Sequence, residues 1–434
     1  MRAAAAVAAS VGPRVAALPP WVRGLPAAWV LTRLLVLVLM FGPEHRVLSD
    51  IGYFSRSLHH LSANGFAGTM REYPLPGLGV VAVPWLLARA VHVTAAFGLY
   101  FVLSVLLVDA AFTGLLARGT DRRRAVLDVW LASAPAMGGM TYARFDLVPG
   151  VLVGCVLLLS ATRPRTAALC IALATSIKLW PGLLVATVLG RTRPWRSATS
   201  VVTVVGAVAI GVTALLGGWG RVVSPLVYQR DRGLQIESVT ATPAMAAWLL
   251  RPGDYRVLFS NYRAVEVTGP GTRVLLAVST VATLALVGCL ALLWLRMARS
   301  GVRVNSDALV WSCLAATLGF MCVGKVLSPQ YFLWLLPMAA AGLAVVERTS
   351  RELLHWTVGL LLVTAMSQAL YPWLYGALLI HGAGSGPAVG VLVVRNLAAL
   401  LLLVLAVRQA LRSSVATPNA APGESRTRTP SVSS

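Results

Sequence analysis

Residues 388–408 read AVGVLVVRNLAALLLLVLAVR, and stretches of this kind recur along almost the whole chain. A backbone with so few polar side chains around it must satisfy its own amides in lipid. A helix does so within one segment, and about 20 apolar residues span the hydrocarbon core. The expected fold is therefore an all-α polytopic membrane protein, with spans near 27–42, 95–117, 125–142, 146–161, 166–190, 199–217, 271–295, 307–323, 330–346, 354–372 and 388–408. Composition agrees: 57% of the 434 residues are hydrophobic and only 12% are charged, against about 25% charged in soluble domains.

The net charge of +22 comes without basic runs interleaved with aromatics, so nucleic-acid binding is not indicated. Arginine instead marks loops. RGTDRRR (118–124), RPR (163–165), RTRPWR (191–196), RMARSGVR (296–303) and ERTSRE (347–352) separate apolar runs, and the positive-inside rule puts all five in the cytoplasm. The Ala-rich start lacks a sustained apolar stretch and is read, over 1–26, as a cytoplasmic N-terminus. The Ser/Thr/Pro-rich end, 409–434, is read as a disordered cytoplasmic tail. The five cysteines lie within apolar spans without metal-ligand spacing, so no metal site is expected.

Two segments acquire meaning from that orientation. PLPGLGVVAVPWLLARAV would reverse the charge rule if it crossed, so 43–94 is expected to be one long external loop carrying a juxtamembrane helix; an ordinary span under a weak charge rule is the alternative. TAALCIALATSIKLWPGLLVATVLG (166–190) has basic flanks at both ends and is too short for two full crossings. It is expected to form two short helices or a re-entrant hairpin, with Lys178 and Pro181 at the tip. About twelve passes result, with both termini inside and a second long external loop at 218–270.

The external segments then collect mixed charge: Asp50 in LSDIGYF, Arg144 and Asp146 in ARFDLVPG, Lys178 in SIKLWPG, Arg230, Asp231, Arg232 and Glu237 in YQRDRGLQIES, and Lys325, Ser328, Gln330 and Tyr331 in CVGKVLSPQYFLW. Charge at that depth is costly unless paired, solvated or used. Cations beside a lone carboxylate suit an anionic lipid-linked substrate and an acid-base step. Each residue also has a plainer reading. Asp50 can cap the helix beginning near Ile51, Arg144 and Asp146 can neutralise each other, and Lys178 can snorkel to headgroups. Arg33 and Arg395, inside spans, are read as snorkelling, and Trp21, Trp29, Trp219, Trp334 and Trp373 as interface-belt residues.

The ordered set of an Asp after the first span, RFDLVP, SIKLWP, QRDRGLQIES and GKVLSPQYFLWLLP resembles the polyprenyl-phosphate-sugar-dependent transferases of glycosyltransferase family 87, actinobacterial mannosyl- and arabinosyltransferases of GT-C architecture. The resemblance extends over about 27–408. It implies transfer of a sugar from a phosphopolyprenol donor to a glycolipid or polysaccharide hydroxyl on the outer face of the plasma membrane. Asp50 matches the position of the GT-C base in the first external loop. It stands without the paired Asp-x-Asp of some members, so no cofactor is expected and divalent metal is left open. Tryptophan in KLWP stands where tyrosine is common.

On this reading Asp50 deprotonates the acceptor in one inverting displacement. Lys178, Arg230, Arg232, Lys325 and Arg144 are the candidate donor-phosphate ligands. Asp146 and Glu237 orient those cations or bind sugar hydroxyls, and Tyr53, Gln330 and Tyr331 are candidate sugar or lipid contacts. Mannose is preferred over arabinose as the donor sugar. The competing class is a transporter or flippase of a lipid-linked anion. Transporters concentrate ionisable groups near the midplane, often in repeated halves, and no repeat is visible here.

Overall fold

A computed structural model describes residues 20–93, 96–118, 123–191, 195–300 and 305–414. Most of the proposed N-terminus (1–26) and tail (409–434), and parts of the arginine clusters at 118–124, 191–196 and 296–303, lie outside the described residues. The described chain is nearly all helical: α1 (Pro20–Phe41), α2 (Ser49–His59), α3 (Leu61–Gly68), α4 (Leu75–Ala90), α5 (Phe97–Ala117), α6 (Arg123–Met137), α7 (Met140–Ala143), α8 (Leu147–Leu159), α9 (Pro164–Ile177), α10 (Val185–Arg191), α11 (Trp195–Gly217), α12 (Trp219–Asp231), α13 (Thr242–Leu250), α14 (Thr272–Ser300), α15 (Ser306–Val323), α16 (Phe332–Val345), α17 (Ser350–Gln368), α18 (Tyr375–Leu379) and α19 (Ser385–Ser414).

Among the described residues, seven helical stretches are long and apolar enough to cross a membrane: Gly24–Phe41, Phe97–Ala117, Arg196–Gly217, Thr272–Leu293, Ser306–Val323, Ser350–Leu379 and Ser385–Ser413. The chain is a multi-pass membrane protein. Several of these helices turn an apolar stripe outward at helical spacing, as Val204, Val208, Val212 and Leu215 do on α11 and Val274, Val278, Val281 and Leu284 on α14. Lipid is as apolar as leucine, so such a stripe costs nothing there. Helix α4 has 16 residues, or about 24 Å, short of the roughly 30 Å hydrocarbon core. It packs against α5 and α9.

The bundle centres on α15 and α16, whose side chains are buried almost throughout. Helix α8 lies against α16 closely enough that a Cβ on Gly150 would fall 2.2 Å from the Leu333 carbonyl oxygen. Only glycine permits that approach. The two ends of the bundle differ chemically. At one end the Asn305 side chain donates to the Ser413 carbonyl at 2.9 Å, and the Asp307 carboxylate accepts the Glu347 and Arg348 amides at 2.8 and 3.0 Å. At the other end the helices are interrupted and charged.

The segment expected as a second long loop is more ordered than a loop. Its residues 219–268 form α12, α13 and an antiparallel hairpin, β1 (Arg256–Phe259) with β2 (Val265–Thr268), in the register Val257 to Val267. Leu234, Ile236, Met245 and Trp248 pack with Val265 and Val267 onto Leu370, Leu378 and Leu392, a second small core. Alternating apolar residues in VEVT face that core, which is why a strand forms in an otherwise helical chain.

Both snorkelling arginines are corrected. Arg33 is buried and grips Asp109 with two bonds, Nε to Oδ2 at 2.8 Å and Nη2 to Oδ1 at 2.9 Å. Trp130 Nε1 and the Tyr142 hydroxyl donate to the same carboxylate at 3.0 and 2.6 Å. Arg395 is buried beside Glu237 at 3.5 Å. A guanidinium that finds a carboxylate inside the bundle has no reason to reach for headgroups.

Candidate active site

Three cations stand where helices break, each followed by a proline. Proline lacks an N–H and its ring collides with the carbonyl four residues back. Pro181 therefore ends α9 at Ile177, and Lys178 takes an extended backbone (φ −141°, ψ 139°). Helix α7 ends before Arg144, also extended (φ −129°, ψ 143°), with Pro149 in the next helix. After α15 the chain is again extended from Gly324 until Pro329 opens a short turn into α16. The open carbonyl of Ile177 meets α4 at Gly77, where a Cβ would lie 2.6 Å from it.

The breaks surround a cavity of about 1010 Å³. Of the residues singled out from the sequence, Asp50, Tyr53, Arg144, Lys178, Arg230, Arg232, Glu237, Lys325, Gln330 and Tyr331 line it. Asp146 does not. It is fully buried behind Lys178, whose Nζ lies 2.5 Å from Asp146 Oδ1. Arg144 and Asp146 do not neutralise each other: Arg144 Nη2 sits 2.6 Å from Asp50 Oδ2. Nor does Asp50 cap a helix through its side chain, since it lies in the first turn of α2 with no capping bond at that end.

Lys178 is buried, not snorkelling. Its ammonium lies between 5.1 and 5.9 Å from the ring centres of Tyr73, Phe145, Tyr331 and Trp334, a geometry in which ring faces attract a cation. Trp334, expected in an interface belt, is buried. It stacks on Trp180 (4.8 Å) and Tyr331 (4.1 Å) and donates Nε1 to Asp146 Oδ1 at 2.8 Å. Trp219 and Trp373 are exposed.

Lys325 is partly committed to the fold, donating to the Arg230 and Arg232 carbonyls at 2.7 Å each. It thereby folds the 230–232 segment over the cavity. Arg230 itself is largely exposed and pairs with Asp231 at 2.7 Å. Gln330 accepts from the Ser328 hydroxyl.

Asp50, Arg144 and Lys178 lie outside the spanning helices. Burial pushes the Asp50 carboxyl above the ordinary carboxylate range, with Arg144 pulling against it. Burial lowers the Lys178 ammonium, partly offset by Asp146. The cavity thus holds a carboxylate that is a better base than an exposed one, beside cations not fully screened by water.

Other lining residues escaped the sequence reading. Glu72 accepts a hydrogen bond from the Tyr53 hydroxyl, and Arg263, at the turn of the hairpin, lies 3.6 Å above the Tyr53 ring. Tyr371 and Tyr375 form another wall. Among the described residues no group of three or more His, Cys, Asp or Glu side chains is placed to hold a metal ion.

A family model described as glycosyltransferase family 87 matches residues 72–317. Comparison with curated proteins and with solved structures gives no match.

Proposed function

The chain belongs to glycosyltransferase family 87, and from that premise we propose that it moves a mannosyl, or secondly an arabinofuranosyl, residue from a polyprenyl-phosphate donor to a hydroxyl of a glycolipid or polysaccharide on the outer face of the plasma membrane. The fold proposed for this work is a GT-C-like bundle of about twelve passes over 27–408, its cavity open to the outside between the segments 43–94 and 218–270.

The reaction is one inverting displacement. The acceptor oxygen attacks the anomeric carbon, its proton passes to Asp50, and the bond to the phosphate oxygen breaks. The leaving polyprenyl phosphate gains one negative charge. Lys178 and Arg232 supply countercharge, with Arg230, Lys325 and Arg144 around them. Asp146 orients Lys178, and Tyr53, Gln330 and Tyr331 contact sugar or lipid.

The observation that carries this reading is the pairing of Asp50 with Arg144 at 2.6 Å in a cavity that also holds Lys178 and Arg232. A carboxylate held in place by one guanidinium, with further cations nearby, suits a base beside a departing phosphate. The test is transfer by purified protein from polyprenyl-phosphate-mannose and polyprenyl-phosphate-arabinose, comparing wild type with Asp50→Asn. Wild-type transfer that the variant loses is expected. Activity surviving in the variant removes Asp50 from the role, and no transfer from either donor favours a flippase, checked by flux in proteoliposomes.

A further inference from the structure

The displacement leaves one buried acid of the cavity wall unused. Glu237 is 1% exposed yet lines the cavity. Its segment is pinned on both sides: the Gln235 amide donates to the Lys325 carbonyl at 3.0 Å and the Ile236 amide to the Val265 carbonyl at 3.1 Å. Oε1 accepts from Gln235 Nε2 at 3.3 Å. Oε2 has no hydrogen-bond partner among the described residues. It lies 3.5 Å from Arg395 Nη2, which donates to Glu237's own carbonyl at 3.0 Å. Asn396 holds the carbonyls of Glu237 and Ser238 and donates to the Thr242 hydroxyl. Two groups of α19 are thus spent on aiming one carboxylate.

We propose that Glu237 accepts a hydrogen bond from a ring hydroxyl of the sugar handled at Asp50, and that Arg395 is the positioning residue that aims it. This rests on the transfer reading above. An anionic ligand group is disfavoured at a carboxylate, and a cation is not needed because Arg395 already balances its charge. A neutral hydroxyl donor completes Oε2 without adding charge. Tyr371, on the adjoining wall, is within electrostatic reach of both Asp50 and Glu237, and all three line the same cavity.

The groups facing Glu237 are Arg395 and Asn396 from α19 and Gln235 from its own segment, with Tyr371 and Tyr375 from the segment after α17 within electrostatic reach. Cys322 of α15 lies within electrostatic reach of Arg395. Burial pushes the Glu237 carboxyl up to about 7, with Arg395 pulling it down. It is therefore ionised above neutrality and loses its charge as pH falls through that value. Without Arg395 the change moves to higher pH.

The experiment uses the full chain in lipid nanodiscs as wild type, Glu237→Gln, Arg395→Gln and the double variant, with donor and acceptor varied separately across pH. Loss of a hydrogen bond to a charged group corresponds to roughly 10-fold to 100-fold. Glu237→Gln is expected to raise one KM by about 10-fold with kcat little changed. A raised donor KM assigns the hydroxyl to the donor sugar, and a raised acceptor KM assigns it to the acceptor. Arg395→Gln is expected to shift the pH dependence of that KM upward, and the double variant to match Glu237→Gln. Both KM values unchanged in Glu237→Gln, or an unshifted profile in Arg395→Gln, overturns the proposal. A readout free of turnover is the infrared carboxyl band that Glu237→Gln abolishes, titrated with and without methyl α-mannoside. Its midpoint is expected to fall when glycoside is added, and a midpoint that stays put overturns the proposal. A wild-type chain without transfer activity overturns the preceding reading alone, and this titration then decides the present one.

Discussion

Arg144 Nη2 lies 2.6 Å from Asp50 Oδ2, joining the first turn of α2 to the break between α7 and α8 across 94 residues of chain. Burial raises the Asp50 carboxyl, with a smaller push from the Asp146 charge, and Arg144 is the largest opposing influence. A base must be ionised to act, so activity is lost as pH falls through the Asp50 pKa. In Arg144→Gln that pKa rises further, and the acid limb of kcat/KM against pH moves to higher pH. An acid limb that stays in place would show that Asp50 does not set it.

Lys178 is expected to matter through charge at the phosphate and Trp334 only through Lys178. Removing one preorganised group that stabilises developing charge typically costs about 100-fold to 1000-fold in kcat, the range expected for Lys178→Met. Trp334→Phe keeps a ring between Trp180 and Tyr331 but loses the 2.8 Å bond to Asp146. A loss of about 10-fold is expected, on the scale of one hydrogen bond to a charged acceptor. Equal losses in the two variants would contradict the ordering.

The charged motifs were legible in the sequence because they interrupt apolar runs beside prolines, and both features survive without knowledge of the fold. Their partners were not. An i, i+2 spacing hides that Arg144 and Asp146 turn to Asp50 and Lys178, because the break between α7 and α8 sends neighbouring side chains in different directions. Arg33 and Asp109 sit on different helices, with nothing in either local pattern to connect them. Trp334 stands where an interface aromatic is expected by position, and only packing shows it to be interior. The hairpin that carries Arg263 was hidden in a segment read as loop. The alternation in VEVT, short as it is, was the available signal.

The Arg33–Asp109 pair should act as a structural clamp. Both side chains are nearly inaccessible, at 3% and 1%. Removing one partner of a buried pair leaves an uncompensated charge at a cost of about 3 to 5 kcal/mol, whereas removing both avoids most of it. Asp109→Asn is expected to lower the thermal unfolding midpoint sharply, and Arg33→Gln/Asp109→Asn to recover a large part of the loss. A double variant no better than Asp109→Asn would place the stabilisation in the Trp130 and Tyr142 bonds to Asp109 instead.

Arg221 holds the stretch that brings Glu72 to the cavity. It is 1% exposed and donates to the carbonyls of Phe66 (3.0 Å), Thr69 (3.4 Å), Met70 (3.2 Å) and Tyr73 (2.8 Å), while Ser224, which it also contacts, donates to the Arg71 carbonyl at 3.0 Å. Its stem crosses Gly217 so closely that a Cβ there would lie 2.7 Å from Arg221 Cγ. A planar guanidinium serves several carbonyls at once, and a lysine ammonium with three donors on a point charge does not reproduce the fork. Arg221→Lys is therefore expected to speed amide hydrogen exchange across 61–73 while α15 and α16 stay protected, since the guanidinium ties four carbonyls of that stretch. Transfer should fall by about 10-fold or more if Glu72 is misplaced, as a small displacement near the reacting groups is costly. Exchange that rises equally in α15 and α16 would mean that Arg221 supports the whole bundle, and exchange unchanged in 61–73 would remove it from this role.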